Sequence, residues 1–533
     1  MRGLPPPSGE SLRSKIVLGL LLSLFLGFGV LLAVRPRTQH TAPATVRAGA
    51  ASGAGATPDG VSTSAAADGA AGGPADAGSA SANVGDAGGA ADAGPVPPGD
   101  AGADAGTRQR LLDRGLRVTA LGWHLLAPAL LENDGLVPGD GSGFSKAGLD
   151  VRLAAVSDMV SVEKALARGG ADEAGADVAL APLPAFVASY ERLRALSPEV
   201  FFVVGFSRGR ETLASRKDAL PEKGEVKLAG VAGDPATFLA LFTLDTAGVR
   251  PGEVRLVPPA AAEEADGAPL AAVARGALPS GMRPLLTSAD TPSLIPHVAI
   301  APRGFIEGHP DAVAALARGW LAGTRKLAAD PPAGARRVAT AANSSDPLAF
   351  VEQLGELGPA SLTDNARMAG LSGRGPLTLE ALFQRSWALW RGVGALATPA
   401  PEPSPVNTRV ISALALAEAG SREPREPREP REPPTEAAFR APEGWEKARP
   451  LIVHRQEKLD EDALIATAGI MAATFDRAVL RIAVLRGPAV DAARTKQVVE
   501  AVLGRFGLPA SRVVAASRPT GKGAAVIEIL GSP

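Results

Sequence analysis

The sequence has no cysteine, only five histidines and few aromatic residues. The missing cysteine excludes disulfides, thiolate metal sites, a cysteine nucleophile and a lipid-anchored cysteine, but it remains compatible with an oxidising compartment. Lys and Arg (55) balance Asp and Glu (56), and no basic face is clustered, so nothing indicates nucleic-acid binding. The histidines are widely separated and have no carboxylate at ligand spacing. We therefore expect no metal site and no cofactor.

One long apolar run interrupts this balanced composition at residues 16–34, which hold nineteen residues without a charge. At about 1.5 Å per residue a helix of this length spans roughly 28 Å, which crosses a bilayer core and exceeds a typical signal-peptide apolar region. We expect an uncleaved, single-pass signal anchor in the inner membrane, with residues 1–15 cytoplasmic and the bulk of the chain periplasmic. Cleavage at the small-residue site 42–44 is the alternative.

Two stretches have compositions that disfavour a packed core. Residues 35–110 are mostly Ala, Gly, Ser and Asp, and the triplet Asp-Ala-Gly recurs five times. With so little apolar surface we expect a disordered tether with an r.m.s. reach of about 45 Å. Residues 399–441 contain "REPREPREPREPP", in which proline at every third position blocks a helix and favours polyproline II. This predicts a stiff linker, and a docking strip read by its charges is the alternative.

Short apolar strands alternate with helical patterns within residues 111–398. "LRVTALGW" is followed by "PALLEND", "LDVRLAAV" by "SVEKALARG", and "DVALAPL" by "PAFVASYERLRAL", before the strand "EVFFVVGFS". This alternation predicts an α/β domain with a largely parallel sheet. Ligands of such sheets bind beyond the carboxyl ends of the strands. Trp123, Pro182, Ser207 and Asp234 follow strands in this way.

Several segments follow one another in a characteristic order over most of residues 116–395, among them "AGLDVRLAAVSD", "DVALAPLPAF", "FFVVGFSRGRETLASRKD" and "GHPDAVAALARGWLAG". They resemble the periplasmic solute-binding proteins of nitrate-, taurine- and thiamine-precursor-type ABC importers. The resemblance implies a two-lobed periplasmic-binding-protein (type 2) fold that closes on a small anionic or polar solute, with an ABC permease as partner. The residues expected to bind this solute are Trp123, His124, Pro182, Leu183, Ser207, Asp234 and Thr237.

Some features of this expected site have two interpretations. Trp123 lines the site or fills the core. The N–H groups at the helix start near Asp234 bind an anion, or Asp234 itself caps them. The Asp-Ala-Ala stretch that such proteins usually carry on the return to the first lobe is missing after "RGAL". The alternative function is therefore a structural or scaffold protein of the cell envelope that keeps the fold without the ligand.

A hydrolase is the enzymatic alternative, because "GFSRG" at residues 205–209 matches G-x-S-x-G after an apolar strand. Ser207 would then be the nucleophile, with Asp290 and His297 following in that chain order. However, the next residues continue poorly as the helix that a nucleophile elbow requires, and no oxyanion-type glycine run precedes them. We expect Ser207 to serve as a hydrogen-bonding group at a strand end, and the protein to have no catalytic residues.

Residues 442–533 predict a separate small α/β domain, because a helix-then-strand pattern occurs twice, ending in "VVEAVLGRFGLPASRVVAAS". It resembles the peptidoglycan-binding C-terminal domain of OmpA-like outer-membrane proteins, and the whole chain resembles fusions of a phosphate-type ABC transporter substrate-binding protein with such a domain. The resemblance implies that a Thr-Asp pair and an arginine bind the charged group of the peptidoglycan stem. Here Thr495 falls at the arginine position, which leaves Asp491 and Arg494 as candidates. We expect weak or no peptidoglycan binding, with docking to another envelope protein or a rescue by Asp491 and Arg494 as alternatives.

Overall fold

The computed structural model describes residues 110–217, 220–221, 224–264, 267–371, 376–421, 448–516 and 523–530. The expected anchor at residues 16–34, nearly all of the tether and the REP repeats lie outside the described residues. Within the described ranges, no helix is both long enough and apolar enough to cross a membrane. All of the described residues belong to one compact unit.

The described chain alternates strands and helices. The strands, in chain order, are β1 (Leu116–Leu121), β2 (Val151–Val156), β3 (Val178–Pro182), β4 (Pro198–Ser207), β5 (Glu211–Ser215), β6 (Val226–Ala229), β7 (Val254–Val257), β8 (Leu270–Ala274), β9 (Arg283–Thr287), β10 (Pro296–Pro302), β11 (Leu357–Pro359), β12 (Pro450–Gln456), β13 (Val479–Arg486), β14 (Ala489–Val490), β15 (Val513–Ala515) and β16 (Ala525–Leu530). The α-helices are Ala127–Asn133, Gly143–Lys146, Met159–Arg168, Leu183–Leu193, Pro235–Thr246, Arg303–Gly308, Pro310–Ala329, Pro331–Ala341, Pro347–Gly355, Leu362–Met368, Leu379–Gly392, Arg409–Ser421, Glu461–Thr474 and Ala492–Phe506.

The first sheet has the strand order β11-β4-β10-β3-β1-β2, and with its helices it forms what we call lobe 1. β1 pairs in parallel with β2 and β3, whereas β10 runs antiparallel to both β3 and β4. β4 is buried along its whole length, as expected for a continuous apolar run in the centre of a sheet. Phe144, Phe201 and Trp320 fill the core between this sheet and the helices on one side.

The second sheet has the order β7-β6-β8-β5-β9 and forms lobe 2. Its main helix, Pro235–Thr246, is apolar on all sides, and ten of its residues are buried. A helix of this kind lies inside a core rather than on a surface. Phe238, Leu241 and Leu244 of this helix belong to the core of lobe 2.

The chain passes between the lobes twice, through two segments that we call the crossovers. Residues 208–210 connect β4 to β5, and residues 288–295 connect β9 to β10. The second crossover delivers the chain beside the end of β4, where Ser207 N–H donates to the carbonyl of Ile295 at 3.0 Å. From that point β10 runs back along β4 in antiparallel register. The mixed α/β fold is confirmed, but the expectation of a largely parallel sheet is wrong.

Lobe 1 continues beyond the boundary at residue 398 that the sequence predicts. Residues 399–421 were expected to be linker because of their prolines, yet they end in the helix Arg409–Ser421. This helix packs against β4 and buries three apolar side chains in the core of lobe 1: Val410, Ile411 and Leu414. Those buried side chains make the segment part of the domain, so the boundary at 398 is too early.

The residues from 448 onward form the C-terminal unit, whose elements follow the order strand, helix, two strands, helix, two strands. The predicted order of helix, strand, helix, strand is present within it. β16 lies between β12 and β13 in antiparallel register, and β15 pairs with β13 in parallel. The core of this unit, which includes Leu464, Leu480 and Ile527, is continuous with the core of lobe 2.

Candidate functional site at the lobe junction

The residues that follow β1 and β4 meet at the crossovers, and we call this region the lobe junction. β1 is followed directly by Gly122, which has a φ of 91°, a value that only glycine adopts without strain. A Cβ atom at Gly122 would stand 2.8 Å from Cε1 of His124. Glycine therefore allows the chain to turn sharply and fold the His124 ring back toward the crossovers.

His124 is 4% exposed and faces Arg210 of the first crossover. Nη1 of Arg210 lies 3.1 Å from Nε2 and 3.3 Å from Nδ1 of the His124 ring. Burial, and then the charges of Arg210 and His297, hold the pKa of His124 well below its ordinary value. At neutral pH the junction thus holds one fixed cation beside an uncharged imidazole.

Ser207, Glu211 and His297 form a buried hydrogen-bonded chain behind Arg210. The Ser207 hydroxyl donates to Oε1 of Glu211 at 3.0 Å, and its oxygen lies 2.9 Å from Nε2 of His297. Burial, with a smaller effect of Arg210, lowers the pKa of His297 to about 3. Burial raises the pKa of Glu211, opposed by neighbouring hydroxyl groups and by Arg210. Oε2 of Glu211 and Nδ1 of His297 have no hydrogen-bond partner among the described residues.

Further hydrogen bonds join the two crossovers to each other. Gly209, which has a φ of 96°, donates its N–H to Oγ of Ser288 at 2.7 Å. The Ser288 N–H donates to the carbonyl of Glu211 at 2.9 Å. Segments with few residues between two rigid sheets are the places where hinge motion is absorbed. The buried chain from Glu211 to His297 therefore lies at the hinge of the two lobes.

The helix start at Asp234 is already capped within the protein. Asp234 accepts a hydrogen bond from the Ala236 N–H at 2.8 Å, as an N-cap residue does. Desolvation of its carboxyl raises the pKa of Asp234. The hydrogen bond from Ala236 and the charge of Arg210 oppose this shift. Thr237 is 0% exposed, and its hydroxyl accepts from the Val231 N–H at 3.1 Å. In this arrangement Thr237 supports the loop before the helix.

The remaining expected site residues surround the junction at different depths. Pro182 is buried at the end of β3 and pairs with His297 in antiparallel register. Leu183 is 0% exposed and belongs to the core on the lobe 2 side of the sheet. Trp123 is partly exposed and packs against the core of lobe 1. The structure thus brings His124 and Ser207 to the junction itself, with Pro182 and Trp123 beside them.

The hydrolase arrangement is incomplete. Ser207 does contact His297, but Ser207 is 0% exposed and its hydroxyl is shared with Glu211. The carboxyl of Asp290 accepts instead from the N–H and hydroxyl of Thr287, at 2.8 and 2.9 Å. No described group orients Nδ1 of His297, which a catalytic histidine requires. Within the described part of the chain, no group of three or more acidic or histidine side chains is placed to hold a metal ion.

Arg210 and Glu211 are functional candidates that the sequence alone does not reveal. In "SRGRE" they look like the charged residues of an exposed turn, and only the folded chain places Arg210 against His124. The available signal was their position: they follow closely after a buried strand that ends at Ser207, between Gly205 and Gly209. Charged residues at the carboxyl end of a buried strand lie where α/β proteins bind ligands.

In the C-terminal unit, Asp491 and Arg494 meet at the start of the helix Ala492–Phe506. Asp491 caps the helix by accepting from the Arg494 N–H at 3.1 Å. The Arg494 guanidinium forms an ion pair with Glu461 on the exposed surface. Thr495 is fully buried, and its hydroxyl accepts from the Val484 N–H at 2.9 Å.

Comparison with known proteins finds similar solved structures only. The periplasmic aliphatic sulphonate-binding protein of Escherichia coli is 13% identical, with a TM-score of 0.36 over 55% of this chain and 96% of its own. A periplasmic sulfonate-binding protein of Methylobacillus flagellatus is 14% identical, with a TM-score of 0.40 over 58% and 95%. A zinc-bound ligand-binding component of an ABC-type import system from Staphylococcus aureus is 14% identical, with a TM-score of 0.39 over 56% and 98%.

All three of these neighbours are binding proteins or binding components of import systems. At these scores nothing about the ligand of this chain follows from them. No family model matches the chain, and no curated protein matches it.

Proposed function

We propose that lobes 1 and 2 form a solute receptor of the ABC-importer type, which binds a small anionic or polar solute at the lobe junction. The observation that carries the proposal is Arg210. Its guanidinium lies on a crossover, beside the neutral ring of His124, and among the described residues no ion pair joins it to a carboxylate. An arginine in such a place offers several N–H donors to an oxyanion.

The buried chain of Ser207, Glu211 and His297 supports the same function. Because it lies at the hinge, a solute that contacts both lobes changes the geometry of these hydrogen bonds as the lobes close. Within this hydrogen-bonded chain, Oε2 of Glu211 and Nδ1 of His297 are buried and lack a described partner. Such atoms are uncommon unless a ligand or water completes the site. Trp123, partly exposed beside the junction, provides a fluorescence signal for binding.

Thermal-shift screening of the full chain with oxyanions, sulfonates and amino acids tests this function. A true ligand at about 100 times its Kd should add roughly 2.7 kcal/mol to the stability of the binding form. The shift should be lost in Arg210→Ala and retained in Arg208→Ala, a matched control two residues away whose side chain is exposed. If no solute shifts the melting temperature or the Trp fluorescence, the scaffold function is favoured instead.

We also propose that residues 16–34 anchor the chain in the inner membrane and that the lobes and the C-terminal unit are periplasmic. The support is the length of the apolar run and its position before a long acidic, aromatic-free stretch. Protease added to spheroplasts should remove the portion after residue 41 while leaving the anchor. Protection of that portion would reverse the topology.

For the C-terminal unit we propose an OmpA-like envelope domain that binds peptidoglycan weakly or not at all. The support is chemical: buried Thr495 cannot reach a ligand, and Arg494 is already paired with Glu461. The full chain should be retained weakly or not at all on isolated sacculi, with Arg494→Ala and the same-helix control Arg505→Ala behaving alike. Strong retention that is lost only in Arg494→Ala would show that the domain still binds peptidoglycan.

A further inference from the structure

A cavity of about 440 Å³ lies where the C-terminal unit meets lobe 2, and its lining includes none of the lobe-junction residues named above. We call it the interface cavity. Its walls come from the helices Pro235–Thr246, Leu379–Gly392 and Glu461–Thr474, the strand β12 and residues 376–377. Phe242, Leu382 and Met471 are buried apolar side chains in these walls. The volume falls within the range of small-molecule sites, roughly 300–1,000 Å³, and such sites are common between domains.

His454 of β12 places a hydrogen-bond acceptor on the wall of this cavity. Its Nδ1 lies 3.1 Å from the carbonyl oxygen of Thr246 in lobe 2. A carbonyl can only accept, so Nδ1 carries the proton in this contact. Burial lowers the pKa of His454, so the ring is neutral at pH 7 and Nε2 carries no proton. The second nitrogen of this cavity-lining ring is therefore an acceptor held in a fixed orientation.

Arg385 supplies donors at the same cavity but little net charge. Its guanidinium is ion-paired with Asp245 and stands 5.8 Å from the centre of the Phe242 ring. A guanidinium has five N–H donors, and one carboxylate uses at most two of them. Because Asp245 balances the charge, an anionic ligand would gain little here over a neutral one.

We propose that the interface cavity binds a small neutral amphipathic molecule, with an apolar body against Phe242 and Met471 and one hydroxyl or N–H head. The head donates to Nε2 of His454 and accepts from Arg385. This site is independent of the lobe junction and does not rest on the solute-receptor function. Since its walls belong to both lobe 2 and the C-terminal unit, an occupant strengthens the contact between them.

Photo-crosslinking of the full chain with 4-benzoylbenzyl alcohol tests the proposal, because this neutral probe has an aromatic body and a single hydroxyl. Mapping by mass spectrometry locates the label even when detergent is present. We expect saturable labelling of peptides that contain Ile470 and Met471. His454→Phe keeps an aromatic ring but loses both the Nε2 acceptor and the Nδ1–H donor to Thr246, and it should reduce this labelling by at least about fivefold, the factor for one ordinary hydrogen bond. His309→Phe, at an exposed histidine elsewhere, is the matched control.

A second variant, Ala388→Trp, fills the cavity from its exposed rim and should abolish the labelling without disturbing a buried position. Leu416, which is 73% exposed on lobe 1, reports non-specific labelling and should stay the same in all variants. Labelling that is equal at Ile470 and Leu416, that is absent, or that is unchanged in His454→Phe or in Ala388→Trp would overturn the proposal.

Discussion

The protein has two internal junctions of opposite character. The junction between the lobes is built from charged and hydrogen-bonding side chains, with Arg210, Glu211 and His297 at its centre. The junction between lobe 2 and the C-terminal unit is built mainly from apolar side chains, with Ile452 packed near Leu213 and Leu286. Both are buried, but only one is polar.

This difference in polarity indicates which of the two junctions can open. Polar groups that separate exchange their protein partners for water, so a net hydrogen bond contributes only about 1 kcal/mol. Apolar surface that separates loses about 25 cal/mol for each Å² exposed to water. We therefore expect the lobes to move at the crossovers while the C-terminal unit stays with lobe 2.

The largest expected effect is at the apolar junction. Ile452→Ala removes a side chain that is 2% exposed, and it should destabilise the C-terminal unit by about 2–5 kcal/mol. Urea titration followed by limited proteolysis of the C-terminal unit measures the loss. Leu451→Ala, at a neighbour that is 40% exposed, should cost clearly less. Equal losses would mean that the junction is not tightly packed.

The next effect is acid sensitivity at the lobe junction. The pKa of His297 falls from 6.5 to about 3 on folding. Below pH 6.5 the unfolded chain takes up a proton that the folded chain does not, so stability decreases by about 1.4 kcal/mol per pH unit as pH falls from 6.5 toward 3. Melting temperatures at pH 7 and pH 5 measure this loss, to which His297 contributes about 2 kcal/mol. His124, whose pKa is also lowered, adds to the loss, so His297→Gln should reduce the slope without abolishing it. An unchanged slope would contradict the assignment.

A smaller effect of opposite sign is expected from Glu211. Burial raises its pKa above 4.5, so the folded chain keeps a proton that the unfolded chain has released. Stability is greatest below pH 4.5 and is lost as pH rises through the folded pKa. Glu211→Gln keeps an acceptor for Ser207 and removes this loss, which should raise stability at pH 7 on the order of 1 kcal/mol. Lower stability of the variant at pH 7 would show that the carboxylate is needed.

The smallest effect is expected away from both junctions. Arg494 and Glu461 form an ion pair whose side chains are 51% and 42% exposed. A double-mutant cycle with Arg494→Ala and Glu461→Ala should give a coupling of about 0.2–1 kcal/mol that decreases in salt. A coupling several times larger would show that this pair is as important as the junctions.

Local patterns in the sequence were sufficient to predict many elements but not how they pair. The strands β1 to β4 and the helices between them follow from short apolar runs with polar boundaries, since both signals are local. The antiparallel placement of β10 depends on where the second crossover returns, which no local pattern records. The helix Arg409–Ser421 was missed because the prolines around it dominate the composition, while its three buried apolar residues contact lobe 1 from far along the chain.

For the candidate site, too, the sequence predicted some residues and missed others. The rule that ligands bind at the carboxyl ends of strands pointed to Trp123, His124 and Ser207. The structure places His124 and Ser207 at the lobe junction, and their role in binding stays a prediction. It could not show that the Thr237 hydroxyl supports a loop, because the partner is a backbone N–H. It also could not find Arg210, because a charged residue after a glycine looks the same whether it faces water or a neutral histidine.

The position of β10 between β3 and β4 has a consequence for how the chain folds during synthesis. Lobe 1 cannot complete its sheet until residues 296–302 have emerged, after all five strands of lobe 2. Lobe 2 is contiguous in sequence from β5 to β9, so it can fold first, while the sheet of β1 to β3 waits with an open edge at β3 and β4 has no strand to pair with. Because this pairing joins residues distant in sequence, it is expected to be slow, and the waiting strands are the segment most in need of protection from aggregation.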